Sequence, residues 1–270
     1  MSKEVKVLVL RTAGTNCDRE TAFAFKSFGA KVDLVHIKRL VAKEVDLNDY
    51  HILAVPGGFT YGDDIESGRI LANEMCLYLG GELAQFIGDG KLIIGICNGF
   101  QVLVKAGILP GPLTEAERLS RDSSQKTTLT NNISGKFEDR WVHLKVNPKS
   151  VWTHGIDKII YLPVAHAEGN FIPISHDVVS RLDNNGQIAF RYSTVSGAKP
   201  GYPENPNGSV EDIAGITDKT GRVLGLMPHP ERHFLFTHHP YWTRLEKTTA
   251  FGDGAKIFEN GVKFARENLV

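Results

Sequence analysis

Cys97 stands between two glycines, in Gly95-Ile96-Cys97-Asn98-Gly99, at the end of the apolar run Leu92, Ile93, Ile94 and Ile96. A short β-branched run of this kind reads as a strand buried on both faces. Phe100, Val102, Leu103, Val104 and Ala106, closed by Gly107, read as a helix packed back on the sheet. Cys97 therefore falls on the strand-to-helix corner. Glycines two residues to either side let neighbouring backbone close on a strained turn, which gives the segment the form of a nucleophile elbow carrying sulfur. A helix start adds free N–H groups and a positive dipole end, and both favour a thiolate over a thiol of ordinary pKa ~8.5. Read singly, a cysteine in such a run is a small buried hydrophobe. Chemistry needs a base and a group to orient it.

The segment Leu224 to Arg232, LGLMPHPER, supplies both. Pro228 and Pro230 resist helix, so the backbone around His229 is expected to be extended, with His229 and Glu231 facing one way. A carboxylate beside an imidazole holds its tautomer and stabilises the imidazolium, the orienting role in a nucleophile, base and acid triad. His229 and His233 also have the i,i+4 spacing of a metal pair, but the prolines deny them the helix that would align them, so no metal is expected. Taken alone the His-Pro-Glu segment is a structural turn; beside the cysteine elbow it becomes a candidate proton path.

The elements that must position these residues alternate. Val5 to Leu10 is an apolar strand, Gly14-Thr15-Asn16 a turn, and Asp18 the cap of a helix that ends at Gly29. Lys31 to Ile37 and Ile52 to Val55 are further strands, the second ended by Pro56-Gly57-Gly58. Ile70 to Phe86 is a helix with Leu71, Met75, Leu79 and Leu83 at helical spacing. This βαβαβα alternation before Cys97 predicts an α/β fold with a parallel sheet, whose ligands sit beyond the carboxyl ends of the strands. Cys97, Gly57-Gly58 and Gly14 all fall there. Pro110 to Thr130 is polar and turn-rich, with the charged run Glu115, Glu117, Arg118, Arg121 and Asp122, and reads as a surface loop or short helix. Beyond Trp141 come short strands at Val142 to Val146, Ile159 to Val164, Ile188 to Tyr192, Ile213 to Thr217 and Val223 to Leu226. A final helix spans Ala255 to Asn268.

Composition narrows the partners. Lysine plus arginine and aspartate plus glutamate both number 31, so there is no basic field for nucleic acid, and a small molecule or a protein is the expected partner. Three cysteines, Cys17, Cys76 and Cys97, are too sparse for a disulfide scaffold. With no signal-peptide core and no membrane-length apolar run, the chain is expected in the cytoplasm, without membrane contact.

The combination of GICNGFQ, PGGF and MPHPE resembles the class I, triad-type glutamine amidotransferases. The likeness extends to GTNCDRE at Gly14 to Glu20, GGFTYGDDIESGRILAN at Gly57 to Asn73, CNGFQVLVKAGILPG at Cys97 to Gly111 and VAHAEG at Val164 to Gly169, and to AFRY, NPNGS, IAGI and GLMPHPER. These blocks cover most of the chain and are similar to the glutamine amidotransferase subunits of phosphoribosylformylglycinamidine synthase, which serve purine biosynthesis. The NCD, GGFxYGD and NPNGS blocks separate those subunits from the amidotransferases of guanylate, carbamoyl phosphate or anthranilate synthesis.

The resemblance implies a flavodoxin-like class I glutamine amidotransferase fold with a mostly parallel central sheet. It implies a single amidotransferase domain over residues 1–270, with a polar insertion near 112–128 and a C-terminal extension from about 233. Both additions look longer than in compact standalone subunits and are expected to contact a partner. Cys97 would attack the side-chain amide of glutamine, with His229 as base and Glu231 orienting it. Gly58 or Phe59, with Asn98, would hold the oxyanion by backbone N–H groups. Gln101 and the loop His166, Ala167, Glu168 and Gly169 would hold the substrate, although Ala167 replaces a glycine usual in the family. The chain would bind no cofactor. Ammonia would pass to an ATP-dependent formylglycinamidine ribonucleotide synthetase, with or without a small accessory subunit, and ATP and magnesium would bind there. The absence of a G-x-x-x-x-G-K-[ST] loop from this chain accords with that division. Two other readings keep the fold: a freestanding cysteine amidohydrolase acting on another γ-glutamyl amide, and a non-catalytic flavodoxin-like binding module. The last must treat Cys97, His229 and Glu231 as unrelated.

Overall fold

The computed structural model describes residues 4–112, 125–246 and 249–270. Strands β1 (Lys6–Arg11), β2 (Lys31–His36), β3 (Ile52–Val55) and β4 (Leu92–Ile96) alternate with helices α1 (Asp18–Ser27), α2 (Ile37–Val41) and α3 (Arg69–Gly88), and α4 (Asn98–Lys105) follows β4. The later elements are β5 (Thr127–Thr130), β6 (Glu138–Val146), β7 (Ile159–His166), β8 (Asn170–Pro173), α5 (His176–Asn184), β9 (Ile188–Ser193), β10 (Ile213–Thr217), β11 (Val223–Leu226) and α6 (Ala255–Asn268). Nine strands form one sheet in the order β2-β1-β3-β4-β11-β10-β9-β6-β7, while β5 and β8 make a separate ribbon.

The first five strands of that order run parallel, and the remaining four continue antiparallel. Every residue of β3, β4 and β11 is buried, as continuous apolar runs require when both sheet faces are covered. Helix α1 packs against α6, and α3 against α4. The α6 stripe of Ile257, Phe258, Val262 and Ala265 is fully buried, as its spacing predicts. Ile96 pairs with Leu226 across parallel strands, so the chain leaves β4 at Cys97 and β11 at Met227 side by side. Neighbouring carboxyl ends thereby deliver the cysteine and the His229 segment to one place.

Three expectations change in detail. Asp18 is the first residue of α1 rather than its cap; Cys17 holds the cap position and the Asp18 carboxylate pairs with Arg11. Helix α5 and the ribbon went unread, although Ser175, buried Val178, Val179 and Leu182, and the stop at Gly186 outline the helix. Of the insertion near 112–128, residues 113–124, including Glu115, Glu117, Arg118, Arg121 and Asp122, lie outside the described residues, and Thr127 and Thr128 belong to β5.

The stretch after His233, the expected C-terminal extension, is joined to the core. Phe234 is 1% exposed, and its ring meets Phe23 at 5.6 Å and Phe28 at 5.7 Å, both from the α1 region. It also meets Phe251 at 5.5 Å and Phe258 of α6 at 6.2 Å. Edge-on aromatic packing of this kind locks the tail onto both helices. Phe234→Ala is expected to lower unfolding stability by about 3–5 kcal/mol, the usual cost of emptying a buried phenylalanine site. Urea denaturation measures it, and a loss below about 1 kcal/mol would show that the tail is only laid on the surface.

Candidate active site

Cys97 has φ 51° and ψ −107°, a conformation L-residues rarely adopt. Its N–H donates to Leu226 O of the adjacent strand at 2.8 Å, and its carbonyl accepts from Phe100 and Gln101 at 2.9 and 3.1 Å. The turn is tight enough that a Cβ on Gly99 would lie 1.8 Å from Val55 O, so only glycine fits there. Gly57 plays the same part on the facing loop. A Cβ there would lie 2.8 Å from His229 Cε1, 3.1 Å from Cys17 Sγ and 3.5 Å from Cys97 Cβ, so the missing side chain leaves room for these three residues to converge.

His229 is extended, as expected, but the chain turns immediately into a short 3₁₀ helix at Pro230–His233. Proline suits that first position because the N–H it lacks would have had no partner in the helix. The turn still brings the carboxylate round, and Glu231 Oε1 lies 2.6 Å from His229 Nδ1, both side chains buried. Nε2 is thus the ring nitrogen left for chemistry; it is buried and makes no hydrogen bond of normal geometry. Burial pulls the imidazole pKa down, yet Glu231 and then Cys97 outweigh it and hold it well above the ordinary histidine range. Cys97 Sγ itself donates to Ala165 O at 3.7 Å. His233 turns away, its Nδ1 2.6 Å from Tyr161 O, so it does not join His229 in a metal pair.

The donors for an oxyanion divide. Phe59 N–H already donates to Gly14 O at 2.9 Å, which removes Phe59 from that role. The N–H groups of Gly58 and of Asn98, first residue of α4, have no partner among the described residues. Gln101 is 3% exposed and occupied at both ends: its amide N–H donates to Glu168 O, and its carbonyl accepts from Asn98 Nδ2 at 3.0 Å. It holds the 166–169 loop rather than reaching into the cleft. In that loop His166 is buried with Nδ1 3.1 Å from Asn132 Oδ1, which also accepts from Gly169 N–H at 3.0 Å. Ala167 has no positive φ and is exposed, so its methyl group fits without strain where the family usually has glycine.

A cavity of about 220 Å³ opens over Cys97 and His229, lined also by Gly58, Phe59, Phe137, Ala165 and Arg232. Larger grooves of about 320 and 490 Å³ run beside α6 and contain neither residue. Cys17, for which the sequence offered no comparable setting, also lines the cavity, with Sγ 4.0 Å from His229 Nδ1. Arg232 Nη2 donates to that sulfur at 3.2 Å and Arg232 Nε to Glu20 at 3.0 Å. Burial pushes the Cys17 thiol up to about 11, beyond what His229 and Arg232 recover, so it stays protonated at neutral pH and is no nucleophile. Cys17, His229 and Glu231 form the one group among the described residues close enough to share a metal ion. His229 Nδ1 is already engaged by Glu231 there, and a guanidinium abuts the sulfur. The position of Cys17 in the GTNCDRE block, next to a turn at the strand ends, was the available signal.

The chain is similar to known proteins over almost its whole length. Residues 4–265 match the CobB/CobQ-like glutamine amidotransferase domain family. The chain is 50% identical over 270 residues to the phosphoribosylformylglycinamidine synthase subunit PurQ of Dehalococcoides mccartyi, covering 99% of this chain and all of that one. It is 44% identical to the PurQ subunit of Methanococcus maripaludis, over 96% and 97% of the two chains. Among solved structures, a chain in PurLQS from Thermotoga maritima superposes with a TM-score of 0.70 at 30% identity, covering 97% of this chain and 99% of that one. A Thermotoga maritima glutamine amidotransferase, at 14% identity and a TM-score of 0.53 over 98% and 99%, shares the fold.

His166 generates a pH prediction. Full burial, reinforced by the charge on His229, lowers its pKa from 6.5 to about 3. The unfolded chain takes up a proton below about 6.5 that the folded chain refuses until about 3, so stability falls as pH drops through that window. His166→Asn is expected to make the loss shallower by about 1 kcal/mol per pH unit between about pH 6 and 4. Urea unfolding at several pH values measures it, and an unchanged slope would mean that His166 accepts a proton in the native state.

Proposed function

The chain belongs to the CobB/CobQ-like glutamine amidotransferase family, and from that premise we propose that it is the glutaminase subunit of a phosphoribosylformylglycinamidine synthase. The observation that carries this reading is the meeting of the strained Cys97 corner with the buried His229–Glu231 pair. End-to-end similarity to PurQ subunits supports the substrate and the pathway.

The chemistry follows from the geometry. Cys97 thiolate attacks the side-chain amide carbon of glutamine, and the C–O π electrons move to oxygen. That oxyanion develops beside the free N–H groups of Gly58 and Asn98, the latter at the positive end of α4. His229 Nε2 gives its proton to the nitrogen; the C–N bond breaks and ammonia leaves a glutamyl thioester on Cys97. The same nitrogen then takes a proton from water, which attacks the thioester and releases glutamate. Glu231, 2.6 Å from Nδ1, keeps the ring oriented and stabilises its charged form.

Ammonia is the product put to use. It passes to an ATP-dependent synthetase partner that converts formylglycinamide ribonucleotide to its amidine, and the partner carries the ATP and magnesium. This chain brings no cofactor to its own step. The free thiols of Cys17, Cys76 and Cys97 support a reducing, cytoplasmic setting, and no helix among the described residues is long and apolar enough to cross a membrane.

An electrophilic glutamine analogue should alkylate Cys97 and spare Cys17 and Cys76, as peptide mass spectrometry would reveal. Labelling confined to another cysteine would exclude the nucleophile. His229→Ala should abolish turnover, and Glu231→Gln should lower kcat by about 10² or more while leaving measurable activity, because it weakens the base without removing it. Adding the synthetase with its nucleotide and ribonucleotide substrate should raise glutaminase kcat/KM by at least about tenfold, ~1.4 kcal/mol of transition-state stabilisation. Full activity in the isolated chain, indifferent to the partner, would instead indicate a freestanding amide hydrolase.

A further inference from the structure

Two loops flank Cys97: the turn between Gly57 and Gly68, whose Gly58 lines the cavity, and the loop from Ala165 to Gly169, whose first carbonyl accepts from Cys97 Sγ. Neither belongs to the helix that carries Cys97, and both must keep their positions for glutamine to be held. The residue that binds them to that helix is Lys105, the last of α4. Its side chain has no solvent-exposed surface. Its ammonium donates to Ser67 O at 2.8 Å and lies 3.3 Å from Glu66 Oε2 and 3.9 Å from Glu168 Oε2. Glu168 Oε2 accepts in turn from Ser67 N–H at 3.2 Å. The carboxylate of the substrate loop is thus clamped between one main-chain donor of the first loop and one buried cation of α4.

The clamp continues toward the reacting atoms. Gln101, one turn before Lys105, donates to Glu168 O; Asn98 Nδ2 donates to Gln101 Oε1 at 3.0 Å; Thr60 Oγ1 donates to Asn98 Oδ1 at 2.7 Å. Three side chains of α4, Asn98, Gln101 and Lys105, therefore meet the two loops, and Lys105 supplies the only charge among them. A buried ammonium is costly unless paired, and burial does pull the Lys105 pKa below its ordinary value, with Glu66 and Glu168 opposing that pull. Packing alone would be served by leucine or methionine at this position. Charge there is needed to hold a carboxylate that would otherwise swing into solvent.

We infer that Lys105 is a positioning residue for glutamine: it fixes Glu168, and with it the 165–169 loop, against the 57–68 turn, and so governs substrate binding while leaving the Cys97–His229 chemistry untouched. The inference rests on the glutaminase reading above, and the test separates the two. In the complex with its synthetase, Lys105→Met should raise KM for glutamine by about tenfold or more with kcat within about threefold, the signature of lost binding rather than lost chemistry. Labelling of Cys97 by the glutamine analogue should slow by a similar factor, whereas labelling by iodoacetamide, which needs no substrate loop, should stay within about twofold. Lys105→Arg, which keeps the charge, should recover most of the loss. Should Lys105→Met not fold, Lys105→Gln carries the same test with a neutral side chain. The inference is overturned if KM and analogue labelling match the wild type, or if both reagents and kcat fall together, which would make Lys105 a general stabiliser. Wild-type protein that the analogue fails to label would overturn the glutaminase reading itself, and the inference with it.

Discussion

The arrangement depends on one backbone corner. Cys97 holds a left-handed φ at a general cost of about 1–3 kcal/mol, and it does so because its surroundings leave no alternative. Its N–H is taken by Leu226 O in the next strand, while Gly99 lies so close to Val55 O that α4 must start where it does. A relaxed β conformation at Cys97 would continue the strand and forfeit the turn into α4. The strain is thus balanced by the buried parallel core of β3, β4 and β11, whose residues are all inaccessible. Stability of the core and presentation of Cys97 to the cleft are the same structural fact.

Electrostatics then sort two buried imidazoles, His166 within reach of the charge on His229, into different states. His229 faces a carboxylate at 2.6 Å and stays readily protonated, although burial opposes it. His166 meets a side-chain amide oxygen and the field of His229, and it stays neutral. Equal burial with different neighbours separates an acid–base group from a fixed hydrogen-bonding one. The two cysteines of the cavity differ in their setting. Cys17 and Cys97 both line the cavity, but burial keeps the Cys17 thiol protonated while Cys97 occupies the helix start.

Much of this was readable from residue types because the interactions concerned are local in sequence. The β4–Cys97–α4 corner needs only an apolar run, flanking glycines and a helix, and His229 with Glu231 sit two residues apart. Strand positions from β1 to β4 and from β9 to β11 were legible for the same reason. Contacts that depend on the curvature of the sheet were not. In strand order β7 is five places from β4, yet Ala165 O of β7 accepts from Cys97 Sγ and Pro163 O accepts from His229 N–H at 2.8 Å. Twist coils the antiparallel half back over the strand ends, and no periodicity in Ile159 to His166 encodes where that edge lands. The occupation of Phe59 N–H by Gly14 is hidden likewise, because it joins two turns 45 residues apart.

Coiling also explains why the 166–169 loop needs an anchor. A loop at the end of an edge strand has sheet neighbours on one side only, so backbone pairing alone fixes it poorly. Here Asn132 holds its near end, with Nδ2 donating to His166 O at 2.8 Å and Oδ1 accepting from Gly169 N–H. Its middle is held by side chains of α4, the helix that also sets Cys97. Cys97 and the 166–169 loop are therefore referenced to one rigid element instead of to two ends of a nine-stranded sheet. A shared frame of this kind is what holding reacting groups to within about 0.5 Å of productive geometry requires.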